Sequence, residues 1–303
     1  MIYLILILTF FGIVFGADKL VNGAVGVARK FKVSEFVIGA AIVGIGTSMP
    51  ELVVSFLGAL QGNSDVAIGN VIGSNIFNIL GILGLTALIF PIPIQKTNLR
   101  FEIPFCLGLS IIATLMIPVI NWVDGLVLLV CFGIFMYISF AYNPTDVTEE
   151  EIYQLEPIWK SILKIVGGLG LLVISCDIFV DKAILLAKQF GMSDAAISLT
   201  LIACGTSLPE LAASTVAAFK KNTQLALGNI VGSNIFNIAF ILGLSSQVMS
   251  LTSTGITVFD YIVMIVSVVL VMICGFCGRI NRLVGLIMLL SFITYTSYLL
   301  NII

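Results

Sequence analysis

The 303 residues are 59% hydrophobic and only 10% charged, with a mean hydropathy of +1.18. A soluble domain carries about 25% charged residues, so most of this surface faces lipid, and a net charge of −2 offers no basic footprint for nucleic acid. The complete absence of histidine excludes Ser–His nucleophile pairs, histidine zinc sites and histidine-ligated haem.

A membrane span needs about 20 mostly apolar residues. Cut at charges and at Pro/Asn/Gly clusters, the chain gives ten: 2–27, 34–60, 65–90, 101–119, 123–142, 158–187, 194–219, 224–249, 257–277 and 282–301. The first span starts near the N-terminus without a signal-peptide cleavage site after it, and it is dotted with Gly12, Gly16, Gly23 and Gly26. Asp18-Lys19 near its end reads as an interfacial anchor and ion pair rather than a ligand. The second span carries Gly46-Thr47-Ser48-Met49-Pro50-Glu51-Leu52, with Glu51 near its middle. The third carries Gly69-Asn70-Val71-Ile72-Gly73-Ser74-Asn75-Ile76-Phe77-Asn78.

After the fifth span comes an acidic, polar linker, 143–157. The sixth span is again glycine-dotted (Gly167, Gly168, Gly170) and carries Asp181-Lys182, read like Asp18-Lys19. The seventh carries Gly205-Thr206-Ser207-Leu208-Pro209-Glu210-Leu211, and the eighth Gly228-Asn229-Ile230-Val231-Gly232-Ser233-Asn234-Ile235-Phe236-Asn237. The six cysteines all lie in apolar segments, and Cys274-x-x-Cys277 reads as small buried packing residues rather than a redox pair.

Both motif pairs recur at one offset of 159 residues, as do Asp18 and Asp177. Repeated matches at one spacing mean duplication. Five spans per half place the second copy upside down relative to the first, the plan of many secondary transporters. With the N-terminus outside, Lys19, Arg29, Lys30, Lys32, Lys96, Arg100, Lys160, Lys164, Lys220, Lys221, Arg279 and Arg282 fall inside, and only Lys182 and Lys188 toward the outside. The expected architecture is an all-α integral membrane protein of ten transmembrane helices in two inverted five-helix repeats, 1–142 and 158–303. The linker is then cytoplasmic and both termini are extracytoplasmic, in a cell (inner) membrane.

A carboxylate near the bilayer centre costs at least about 2.5 kcal/mol and is usually functional. Thr47, Glu51 and Ser55 are spaced to share one helix face, and Thr206, Glu210 and Ser214 repeat the pattern. Asn70, Ser74 and Asn78, with Asn229, Ser233 and Asn237, make two further stripes. Pro50 and Pro209 lack an N–H and disturb the turn before them. That turn contains Gly44 and Gly46 in one half and Ala203 and Gly205 in the other, so carbonyls at Gly44, Gly46 and Thr47 are expected to line a polar cavity. Two carboxylates, hydroxyls, amides and carbonyls form a hard, all-oxygen set suited to Ca²⁺, and two charges balance one Ca²⁺ or two Na⁺. The residues alone therefore point to a hard-cation transporter without naming the ion pair.

The GTSxPE segment followed by GNxxGSNIFN, present twice, resembles the two alpha repeats of the sodium/calcium exchanger family, in the calcium/cation antiporter superfamily. The resemblance implies a minimal prokaryotic antiporter, working by alternating access, with Glu51 and Glu210 as central cation ligands. It implies oxygens from Thr47, Ser48, Thr206, Ser207, Ser74 and Ser233, carbonyls of Gly44 and Ala203 at peripheral sodium sites, and Asn78 and Asn237 completing the centre. In that family the first and sixth spans lie across the core and slide, and the exchange ratio is three Na⁺ per Ca²⁺. Several members carry aspartate where this chain has Asn237, which leaves two central acids and implies no potassium requirement. The short linker has nothing like the large calcium-sensing domain of animal exchangers. No cofactor, nucleic acid or obligate protein partner is implied; the ligands are Ca²⁺ and Na⁺, in a lipid bilayer. A calcium/proton antiporter using the same acids is the nearest alternative, a cation channel a more distant one, and an enzyme the least fitting.

Overall fold

The computed structural model describes residues 2–142, 156–190, 203–252 and 255–299, and it is helical almost throughout. In chain order the helices are α1 (Ile2–Phe31), α2 (Glu35–Thr47), α3 (Met49–Leu60), α4 (Ser64–Ile89), α5 (Asn98–Leu115), α6 (Trp122–Tyr142) and α7 (Ile158–Gln189). A short turn, Ala203–Gly205, precedes α8 (Leu208–Phe219), α9 (Thr223–Val248), α10 (Val258–Phe276) and α11 (Arg282–Leu299).

Polar residues set the starts. Ser34 and Asn63 accept from the backbone N–H groups of Val37 and Val66, each at 3.2 Å. Thr257 and Asp260 form a reciprocal capping box at the start of α10. Between these caps the runs are apolar enough that eight described helices could each cross a membrane, and nine if α2 and α3 count as one span. The expected second span is thus broken, with a bend of 50° after Thr47. Of the seventh, 194–219, only the part from Ala203 is described; 194–202 and most of the linker, 143–155, lie outside the described residues.

Strands were not expected, yet two short antiparallel pairs occur. β1 (Ile92–Pro93) pairs with β4 (Arg279–Ile280), and β2 (Val119–Ile120) with β3 (Leu251–Thr252). They satisfy backbone groups where chains leave their helices. Each pair joins one half of the sequence to the other.

α4 and α9 form the centre, α9 being almost entirely enclosed, while α1, α7 and α11 turn most of their surface outward. α1 lies along α7. Gly12 faces Ser175, Gly16 faces Leu172 and Gly168, and Gly23 faces Ile165 and Ser161, so rising numbers meet falling ones and the two helices run antiparallel. A Cβ on Gly16 would stand 2.7 Å from the Leu172 nitrogen, and one on Gly168 2.6 Å from the Leu20 nitrogen. Close helix packing accounts for these glycines. It does not account for Gly167 and Gly170, which face open space.

Two smaller expectations are corrected. Asp18 pairs with the Lys220 ammonium rather than with its neighbour. Lys19 instead stands over the Phe15 ring, 4.7 Å from its centroid, because i and i+1 residues on a helix do not face each other. Cys277 is exposed at the end of α10, not buried packing, and all six cysteines are free.

Candidate functional site

The site forms where both halves lose regular helix. Pro50 sits in the first turn of α3 and Pro209 in the first turn of α8. A proline there gives up no intrahelical N–H bond but cannot continue the helix before it. The residues ahead take the same off-helix backbone: Ser48 at φ −83°, ψ 11° and Ser207 at φ −89°, ψ 11°. Each break leaves a serine hydroxyl and, three residues later, a glutamate at the start of a helix, where the positive end of the helix dipole favours a carboxylate.

The two halves then interlock. Ser48 Oγ donates to Glu210 Oε1 at 2.8 Å, and Ser207 Oγ donates to Glu51 Oε1 at 2.7 Å, each from one half to the acid of the other. Ser74 Oγ lies 3.2 Å from Ser207 Oγ. Ser48, Glu51, Ser207 and Glu210 are all completely buried. The second carboxylate oxygen of each acid, Oε2, has no partner. A hydrogen bond to a charged group returns about 1.5–3 kcal/mol, against a cost of at least about 2.5 kcal/mol for a carboxylate at membrane depth. Each acid thus keeps one buried oxygen without a donor, and a bound cation would supply the missing partner.

α4 and α9 each change to π-helical winding where they pack against α8 and α3, at Phe77–Leu83 and Phe236–Leu242 respectively. Such segments are frequent at functional sites. Asn78 and Asn237 stand in their first turns, fully buried. Their Nδ2 groups donate to the Oδ1 atoms of Asn234 (3.0 Å) and Asn75 (3.1 Å), while their own Oδ1 atoms have no partner. Two acid oxygens and two amide oxygens, all enclosed and all unpartnered, thus come from two pairs of corresponding positions.

The remaining expected residues divide. Gly44 is buried in the π turn Gly39–Gly44, but its carbonyl is not bare. It accepts the Ser48 N–H at 3.1 Å and the Ser233 hydroxyl at 3.2 Å, and the Thr47 hydroxyl lies 3.4 Å away. Thr47 Oγ1 also reaches Asn229 Oδ1 at 3.2 Å. Ser233 is therefore brought to Gly44, and Ser74 to Ser207. Ala203 opens the turn Ala203–Gly205. Asn70 and Asn229 do not line the centre. They donate to the backbone carbonyls of Glu51 (3.1 Å) and Glu210 (3.3 Å), and to Ser55 and Ser214 at 2.8 Å. These four clamp α3 onto α4 and α8 onto α9, so the even polar stripes mix site residues with structural ones. Asn75 and Asn234 were missed because they fall off those stripes, although they recur at the same 159-residue offset.

A cavity of about 600 Å³ lies between α3, α7 and the start of α8 and reaches Pro50, Thr206 and Pro209. Asp177 and Asp181 line it from α7. Among the described residues no three His, Cys, Asp or Glu side chains cluster as a metal site. Any cation held here would rest on two acids supplemented by neutral oxygens.

Comparisons with known proteins identify relatives of this chain. A family model described as sodium/calcium exchanger protein matches residues 1–141 and 160–301. CaxA of Alkalimonas amylolytica is 40% identical over 244 residues, 77% of this chain and 76% of its own. The sodium/calcium exchanger MaX1 of Methanosarcina acetivorans is 30% identical over 324 residues, 85% of this chain and 86% of its own. A solved structure of the sodium-calcium exchanger NCX_Mj, soaked with 10 mM Na⁺ and zero Ca²⁺, matches with a TM-score of 0.88 at 32% identity, covering 98% of this chain and 99% of that one.

Proposed function

Because this chain belongs to the sodium/calcium exchanger family, whose members are membrane cation antiporters, we propose that it exchanges three Na⁺ for one Ca²⁺, without potassium, at a site centred on Glu51 and Glu210. The observation that carries this reading is the set of four enclosed, unpartnered oxygens, Oε2 of Glu51 and Glu210 and Oδ1 of Asn78 and Asn237. Ca²⁺ takes 6–8 oxygens in flexible geometry, and the neighbouring hydroxyls of Ser48, Ser74, Thr206 and Ser207 are the natural supplement. Thr47, Ser233 and the carbonyls of Gly44 and Ala203 are assigned to flanking sodium sites. For Gly44 this requires the contacts from Ser48, Thr47 and Ser233 to loosen.

The proposed frame is ten spans in two inverted repeats, 1–142 and 158–303, around a cytoplasmic linker, with both termini outside an inner membrane. The antiparallel course of α1 and α7 supports it, since these are corresponding helices of the two halves. Contacts at the span ends support it too. Gln224 donates to the Pro93 carbonyl and Arg282 to that of Ile89, both on the side assigned as cytoplasmic. Gly255 donates to Asp65, and Gln247 to the Trp122 carbonyl, both on the opposite side. In this frame the cavity beside Pro50 and Pro209 opens outward.

Two ionised acids with one Ca²⁺ make a neutral site; with three Na⁺ the site carries +1, spread over the flanking oxygens. Such a cycle moves one charge, worth about 2.3 kcal/mol per 100 mV. Calcium flux is measured in proteoliposomes at fixed sodium and calcium gradients, with the potential set by valinomycin. The reversal point should shift with voltage, and unclamped exchange should persist when choline replaces potassium. A voltage-independent reversal point would mean two Na⁺ per Ca²⁺, and calcium flux driven by a proton gradient but not a sodium gradient would favour a calcium/proton antiporter.

A further inference from the structure

Asn78 and Asn237 are useful to a cation only if their amides present oxygen rather than NH₂ to the centre. An amide is nearly symmetric in shape, so shape alone does not decide which end faces the acids. The decision is made by two other asparagines. Asn75 Nδ2 donates to the backbone carbonyl of Asn234 at 3.3 Å, and Asn234 Nδ2 donates to the backbone carbonyl of Asn75 at 3.1 Å. A carbonyl only accepts, so each of these amides must turn its NH₂ toward it. The Oδ1 atoms of Asn75 and Asn234 are then forced to the opposite side, where they face Asn237 and Asn78. An oxygen there accepts only from NH₂. Asn237 and Asn78 must therefore offer their NH₂ groups outward, which leaves both Oδ1 atoms aimed away from the lock and unpartnered.

We propose that Asn75 and Asn234 are positioning residues which, through this crossed relay from fixed backbone carbonyls, hold the amide oxygens of Asn237 and Asn78 in the cation site. The proposal rests on the reading of Asn78 and Asn237 as ligands and adds what orients them. Each relay runs from one half to the other, Asn75 setting Asn237 and Asn234 setting Asn78. All four residues are at most 1% exposed, so water has little access to substitute for a missing partner. Losing either lock frees one ligand amide to turn its NH₂ toward the cation, replacing attraction with repulsion.

The test uses an aspartate at the ligand position, which presents oxygen whichever way it turns. Calcium half-saturation and maximal rate are measured in sodium-loaded proteoliposomes for the native chain, Asn75→Ala, Asn237→Asp and the double variant. Asn75→Ala should raise the calcium half-saturation about tenfold or more, the scale of one buried polar partner lost, with a smaller effect on the maximal rate. In the Asn237→Asp background the same change should cost about twofold at most, giving a strongly non-additive cycle. Equal losses in the two backgrounds would overturn the positioning role. Asn237→Ala separates this from the underlying reading: an unchanged calcium affinity in that variant would sink the ligand assignment itself. The mirror cycle, Asn234→Ala with Asn78→Asp, covers a failure of Asn75→Ala to fold. If both alanine variants fail to fold and neither aspartate restores them, the asparagines are structural and the proposal is wrong.

Discussion

The Ser48 hydroxyl of one half of this chain is hydrogen-bonded to the Glu210 carboxylate of the other at 2.8 Å. The two residues are brought together by a helix break that the sequence writes twice, so each acid is conditioned by the half it does not belong to.

Removing that hydroxyl should weaken cation binding without dismantling the fold. Ser48→Ala deletes a hydrogen bond to a charged group, worth about 1.5–3 kcal/mol, and should reduce calcium affinity by roughly 10- to 150-fold. Ser207→Ala should do the same through Glu51. Calcium titration of sodium-driven uptake checks both, and an unchanged half-saturation would separate the serines from the site.

The glycine seam makes a contrasting pair. Gly16→Val places side-chain atoms against the α7 backbone, where a Cβ alone would stand 2.7 Å from the Leu172 nitrogen. It should push α1 from α7 and lower both the melting temperature and transport. Gly167→Ala meets nothing within 4 Å and should be neutral or slightly stabilising, since alanine favours helix over glycine. Thermal melting in detergent distinguishes them; equal behaviour of the two would contradict the packing described.

Much of the candidate site was legible because duplication marks it. Glu51 and Glu210 announce themselves as acids at membrane depth, and the paired prolines announce the breaks. What the sequence concealed depends on which helix faces which. Periodicity put Asn70 and Asn78 on one stripe, but the neighbour of Asn70 is α3 and the neighbour of Asn78 is Asn234. The roles of Asn75 and Asn234 reside in contacts across 159 residues, which no local pattern encodes. The same holds for Asp18, whose partner Lys220 belongs to the other half, and for the strand pairs, two residues long and closed by distant segments.

Sidedness has a direct check. In a background with Cys277→Ser, because Cys277 is exposed, Lys96→Cys should react with an impermeant thiol reagent only from the cytoplasmic side. Gln61→Cys should react only from outside. Labelling on the reverse faces, or of both on one face, would break the inverted arrangement.

Acid should act on affinity first. Protons compete with cations for ligand carboxylates, so the calcium half-saturation should rise as pH falls while the maximal rate initially holds. The exposed Glu156 serves as a control. Its hydrogen bond from Lys164 holds its carboxyl below the usual range, so what it adds to stability is present above the unfolded value of about 4.3 and is lost only as pH falls through its lower folded value. Glu156→Gln should therefore leave the acid limb of transport unmoved. A flat response of the native protein down to about pH 4.3 would contradict ligand carboxylates.

If Glu51 and Glu210 together hold calcium for sodium-driven exchange, calcium uptake into sodium-loaded proteoliposomes requires both acids and the sodium gradient. The native chain should accumulate calcium when the outward sodium gradient is imposed and cease when sodium is equal on both sides. Glu51→Gln and Glu210→Gln, each still eluting as folded protein, should abolish that uptake, because one negative charge then faces a divalent ion. Near-native uptake in either variant would mean that calcium does not rest on these two acids, and uptake by the native chain indifferent to sodium would mean that the two ions are not exchanged.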